Sequence, residues 1–150
     1  MLNLIEDKKS KSKSFFLRTK DIFFSKVYVN FLINFYNKNK SSVRICLHQN
    51  SKAKHHDMVI LQTKKNRVRT HKHLKRGETY NVIRGSMYVF LFKNSSKVSE
   101  KILLKKNDIF RVPANIFHKT ESVSDFVIFH ESKIGPFLKK NDTIYAKWDK

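Results

Sequence analysis

Of 150 residues only one is a cysteine, Cys46, so an internal disulfide is impossible and the lone thiol suits a reducing compartment. Glycine is nearly as scarce: Gly77, Gly85 and Gly135 are the only three, which makes each position informative. No stretch is long and apolar enough for a transmembrane helix. The most apolar, IFFSKVYVNFLINFY at residues 22–36, is interrupted by Lys26, Asn30 and Asn34. The start, MLNLIEDKKSKSKS, places acids early and has no apolar run behind a basic end, so no secretory signal is read and the expected location is cytoplasmic. Internal repeats and a second-domain boundary are also missing, and the length suits one domain.

Acidic residues are few. Twelve face 32 lysines and arginines, giving a formal net charge of +20. Such an excess raises nucleic acid or an anionic membrane surface as a partner. Its distribution argues otherwise: residues 1–40 carry nine basic and three acidic groups, so the excess is spread along the chain rather than gathered in a tail. No nucleic-acid reading motif accompanies it, and a solvated basic surface is the reading adopted. Apolar residues at 40%, with thirteen phenylalanines, exclude a disordered chain.

The pattern divides the chain in three. Residues 1–18, which include KKSKSKS, read as a mobile basic segment. Residues 19–40 read as a helix, with Thr19 as cap and Asp21 in the first turn. Lys26, Asn30, Asn34 and Asn37 then form a narrow polar stripe opposite a broad apolar face. That face calls for a cover: the domain itself, a second subunit in a homodimer, or a membrane surface. Residues 41–150 change character. The runs VRICLH, MVILQT, ETYNVI, SMYVFLF, EKILL, DIFRVP and DFVIFHE alternate with polar clusters. Seven or more closely spaced strands predict an all-β antiparallel sandwich or barrel.

The stretch RTHKHLKRGETYNVIRG, residues 69–85, carries the chemistry. On a strand His71 and His73 share a face, and Glu78 can return across the LKRG bend to add an oxygen. His118, in VPANIFH, supplies a third imidazole. Three neutral nitrogens and one carboxylate suit Fe, Mn, Ni, Co or Zn as a divalent ion, with an incomplete shell left for a ligand. His55 and His56 read as loop residues, and His48 and His130 as strand residues. Arg44, Arg69, Arg84 and Arg111 are ordinary surface charges unless they face a cavity, where guanidinium would suit phosphate or carboxylate. Tyr80 and Tyr88 read as core or wall.

In order, His71, His73, Glu78 and Gly85 match the spacing of the first cupin motif, with Lys65 at its leading glycine. Pro113 and His118 match the second motif, with Asn107 and Asn115 at its two glycine positions. Asparagine tolerates the left-handed backbone better than most residues, so these two departures are physically mild. Within the RmlC-like cupins the chain resembles the WbuC family of cupin-fold metalloproteins. The likeness runs from SSVRICLHQN through the histidine motif to FHESKIGPF and YAKW, and its most specific part is Glu131, Lys133, Gly135, Pro136 and Phe137. It implies a single-domain jelly-roll β-barrel preceded by a helix, a metal site at His71, His73, Glu78 and His118, and an association with O-antigen or other surface-polysaccharide biosynthesis. No established reaction goes with the family.

Three functions therefore stand. One is a metal-dependent enzyme acting on a sugar, nucleotide sugar or other small anion. Another is a metal-independent sugar-nucleotide epimerase or ketoisomerase with histidine as general base. The third is a binding module that turns nothing over. No catalytic residue is assigned.

Overall fold

In a computed structural model the chain is described over residues 2–137 and 143–150. Period-2 burial builds its two sheets. Glu78, Tyr80 and Val82 of β6 (Glu78–Arg84) point inward, as do Met87, Val89 and Leu91 of β7 (Ser86–Phe92). The seven-stranded sheet runs β1 (Leu4–Glu6), β2 (Ser14–Leu17), β3 (Val43–Cys46), β4 (His55–Thr63), β11 (Phe126–Ile134), β6, β9 (Ile109–Val112). The five-stranded sheet runs β12 (Ile144–Tyr145), β5 (His71–Lys72), β10 (Phe117–Ser122), β7, β8 (Val98–Lys105). Between them Tyr80, Val82, Met87, Val89, Leu91, Leu104, Val112, Val127 and Phe129 form the main core. This is the all-β jelly roll of a cupin, with an N-terminal helix.

That helix, α1 (Lys26–Asn39), is shorter than the segment 19–40 read from the sequence. Ser25, not Thr19, stands at its N-cap, and the Thr19 hydroxyl donates to the carbonyl of Asp21 instead. The polar stripe is as expected, since Lys26, Asn30, Asn34 and Asn37 are all exposed. Tyr28 and Leu32 pack with Leu17, Val43, Ile45, Val59, Leu61 and Ile128 on the outer face of the seven-stranded sheet. The helix thus packs one face on its own domain. No helix among the described residues is long and apolar enough to cross a membrane.

Within the segment 1–18 expected to be mobile, the described residues hold two strands. β1 and β2 form a hairpin, and β2 lies parallel to β3, whereas every other pairing among the described residues is antiparallel. Lysines and serines disguise the strand, because Ser14 and Leu17 are its buried anchors and the lysines sit in the connecting loop. A helix between β2 and β3 supplies the crossover that a parallel pair requires.

The asparagines at glycine positions hold the left-handed conformation: φ is 75° at Asn107 and 64° at Asn115. Gly85 has φ 81°, and a Cβ there would lie 2.9 Å from the Phe126 carbonyl oxygen.

Candidate metal centre

Strand register brings the four donors together. In the five-stranded sheet His118 of β10 is the cross-strand partner of His71 of β5. Across the barrel, Glu78 opens β6 opposite Lys133 of β11. His73 follows β5, and its carbonyl accepts a 2.7 Å bond from the backbone N–H of Asn115, so the left-handed turn at Asn115 clamps the segment carrying His73 to the one carrying His118. Donor atoms of His71, His73, Glu78 and His118 all lie within 4.8 Å of one another. Glu78 and His118 are 2% exposed and His73 3%, so any charge here must be compensated inside the protein.

Hydrogen bonds fix what each group offers. The Nδ1 of His71 lies 2.8 Å from the Arg69 carbonyl and that of His118 2.9 Å from the Ile116 carbonyl. A carbonyl only accepts, so both Nδ1 atoms carry the proton and each Nε2 keeps its lone pair. Each oxygen of Glu78 has one true donor. Lys133 Nζ reaches Oε1 at 2.6 Å, and the Tyr80 hydroxyl donates to Oε2 at 2.6 Å. The other side of each oxygen faces an imidazole: His73 Nε2 at 2.8 Å from Oε1 and His118 Nε2 at 3.1 Å from Oε2. For His118 this sets a lone pair against a carboxylate oxygen, an arrangement that needs a cation, either a proton or a metal ion. The donor set therefore fits a divalent ion. His71, His73 and His118 would hold it through nitrogen and Glu78 through oxygen.

Electrostatics keep the donors in ligating form. Burial would raise the Glu78 carboxyl, but the Lys133 ammonium holds it well below the ordinary carboxylate range. Burial, aided by repulsion from His118, lowers His71 to about 4, so its ring is neutral at pH 7. Burial would lower Lys133, yet Glu131 and Glu78 push it upward and keep the ammonium charged. Burial and the nearby Glu78 raise Tyr80 well above its usual value, so its hydroxyl stays a donor.

Above the cluster opens a cavity of about 550 Å³. Its walls include Ile60, Gln62, Thr120 and Phe129, with the Thr120 hydroxyl donating to the Gln62 side-chain oxygen at 2.9 Å. Of the four arginines singled out from sequence, Arg44 and Arg69 line it. Arg84 does not; it stacks over Phe126, 5.7 Å from the ring centroid. Arg111 is exposed and lies against Gly77 outside the cavity. His55 and His56 lie in β4 rather than in a loop, and His48 lies in a bend beyond β3. His55 and His130 both bind Asp57, at 3.1 and 2.8 Å, and His48 stacks on His56. Tyr80 is a buried wall of the site, while Tyr88 lies under Lys101.

Sequence reasoning assigned no site role to Glu131 or Lys133, which line the cavity floor 3.0 Å apart. Their i, i+2 spacing on a strand was the available signal, since it puts both on the face that Glu78 meets.

Comparison with known proteins agrees with this architecture. A family model described as a domain of unknown function, DUF6016, matches residues 36–104. No curated protein sequence matches the chain. Among solved structures, the capsular polysaccharide assembling protein CapF from Staphylococcus aureus superposes with a TM-score of 0.59 at 11% identity, covering 95% of this chain and 34% of that one. An uncharacterized conserved protein with a double-stranded beta-helix domain from Klebsiella pneumoniae gives 0.55 at 15% identity, covering 73% and 87%. A cupin superfamily protein from Desulfitobacterium hafniense gives 0.51 at 14% identity, covering 63% and 77%. The chain thus spans about a third of CapF. At these identities the likeness is one of fold, and the fold is that of the cupins.

Proposed function

We propose that the protein is a metal-binding cupin of the WbuC type, cytoplasmic, which binds and acts on a small anionic, sugar-related ligand in surface-polysaccharide biosynthesis. One observation carries the metal reading: the Nε2 lone pair of His118, set by Nδ1 donation to Ile116, points at a carboxylate oxygen 3.1 Å away. The printed name of CapF, a capsular polysaccharide assembling protein, supports the polysaccharide context. A bound divalent ion would supply Lewis acidity toward a carbonyl or hydroxyl oxygen of the ligand. The chain's own residues do the rest. Lys133 and Tyr80 hold Glu78 as a fixed carboxylate, and the Arg69 and Ile116 carbonyls orient the His71 and His118 rings. The apolar wall of Ile60 and Phe129 limits water at the cavity floor.

The same short His118–Glu78 contact also favours a second reading, in which a proton replaces the ion and the pair works as a general base in sugar-nucleotide epimerisation or isomerisation. Elemental analysis separates the two. About one divalent ion per chain in the wild type, lost in His73→Ala and His118→Ala, is the expected result. Equal content in all three proteins would remove the metal assignment.

A further inference from the structure

The rim of the cavity is built by segments far apart in sequence, and most of its charge has one sign. Lys11, Lys13, Arg44, Arg67 and Arg69 all line it. Two of these are paired with carboxylates: Lys13 with Glu6 at 2.6 Å and Arg67 with Asp149 at 2.5 Å. The other three have no carboxylate partner among the described residues, and each is placed differently. Arg44 is half-buried, and its guanidinium is aimed by two hydroxyls, with Nε donating to Ser14 Oγ at 3.1 Å and Nη2 to Ser10 Oγ at 2.9 Å. Arg69 lies over the exposed Tyr145 ring, 4.6 Å from its centroid, with Nε 3.3 Å from the Asp149 carbonyl. Lys11 is carried on the loop between β1 and β2, which the β2–β3 pairing pins against the mouth. The consequence is a guanidinium held in place by two serines, with its remaining N–H groups free among the described residues, in a cleft that two further cations line and whose low-dielectric walls strengthen the field.

We propose that this rim is a phosphate subsite: Arg44, helped by Lys11 and Arg69, holds the phosphoryl group of a phosphorylated carbohydrate whose sugar end faces the cluster of His71, His73, Glu78 and His118. A phosphoryl dianion, with three acceptor oxygens, matches three unpaired cations better than a carboxylate with one charge. This deepens the function proposed above and rests on it for the orientation of the ligand. The basic N-terminal loop is thereby part of the binding site and sets which ligands enter.

Calorimetric titration tests this with five probes: inorganic phosphate, glucose 1-phosphate, UDP-glucose, glucose and acetate. The proteins are wild type, Arg44→Gln, the double variant Lys11→Gln/Lys13→Gln and His118→Ala, each with its melting temperature and metal content recorded. Glucose 1-phosphate should bind at least about tenfold more tightly than glucose or acetate, and Arg44→Gln should remove most of that difference. The double variant, altered only at exposed side chains, should weaken phosphorylated probes several-fold at unchanged melting temperature. UDP-glucose binding more tightly than glucose 1-phosphate would point to a diphosphate at the same rim. Wild-type affinity for phosphorylated probes in both Arg44→Gln and the double variant, or acetate equal to phosphate, would overturn the proposal. A wild type without metal whose phosphate binding still depends on Arg44 supports the subsite while removing the metal reading. A metal-loaded protein indifferent to every phosphorylated probe does the reverse.

Discussion

Lys133 Nζ lies 2.6 Å from Oε1 of Glu78, its cross-strand partner, inside the barrel. One carboxylate oxygen therefore serves both a fixed ammonium and the space that a metal ion would occupy. Lys133 also reaches Glu131 at 3.0 Å, so one ammonium bridges two inward carboxylates, and the buried Arg76 guanidinium is a second cation near both.

Replacing that ammonium should have two opposed effects. Lys133→Met removes the ammonium that bridges Glu78 and Glu131 and leaves Arg76 as their nearby cation, and the metal-free protein should lose about 3 kcal/mol. Added divalent metal should restore part of it, because the ion now supplies the missing charge. The check is thermal melting with and without Mn or Zn, and a larger metal-induced rise in the variant than in wild type is expected. Equal rises would show that the ammonium and the metal do not share Glu78.

The docking of α1 rests on Leu32, which is fully buried among residues of the outer sheet face. Leu32→Ala should cost about 2–4 kcal/mol by removing apolar contact and leaving a cavity. Denaturant unfolding measures it directly. Metal content should be unchanged, since the helix packs on the opposite face of the sheet from the donors.

At Asn115, where φ is 64°, glycine should be tolerated within about 0.5 kcal/mol and valine should cost about 1–2 kcal/mol. Because the Asn115 N–H holds the His73 carbonyl, valine should also weaken metal retention, read by dialysis followed by elemental analysis.

Much of this was legible in the sequence, and the reasons differ by region. Seven apolar runs became strands because alternation survives in any half-buried sheet, as in SMYVFLF, which is β7 in full. The convergence of His71, His73, Glu78 and His118 was legible because spacing encodes register. Four strands escaped for physical reasons: β1 and β2 flank a lysine- and serine-rich loop, β10 buries His118, Thr120 and Ser122 where apolar residues would signal a strand, and β12 is only two residues long. The helix start was misplaced because Thr19 and Asp21 imitate a cap, while the true N-cap Ser25 makes no side-chain bond. Which arginines face the cavity could not be read, since Arg84 and Arg44 differ in sheet face rather than in any local pattern.

A pH dependence follows from the C-terminal segment. The Thr70 hydroxyl and backbone N–H, with Arg67, bind the Asp149 carboxylate and depress its pKa below the ordinary value. A depressed carboxylate stabilises the folded state above its unfolded pKa, and that contribution fades as pH falls through the folded value. Asp149→Ala should therefore cost about 2 kcal/mol at pH 7. The gap to wild type should narrow below about pH 4. Melting curves from pH 7 to pH 3 are the measurement, and a gap independent of pH would show that the ionised form contributes nothing.

The pairing of β4 with β11, from Thr63↔Phe126 to His55↔Ile134, encloses all four donor residues within one loop of the chain. That loop must close across about sixty residues before its contacts repay the entropy lost. Folding should accordingly be slow relative to helical proteins of this size, and an ion offered to the unfolded chain finds its donors dispersed. A metal at this centre would act late, slowing unfolding of the finished barrel rather than speeding its assembly.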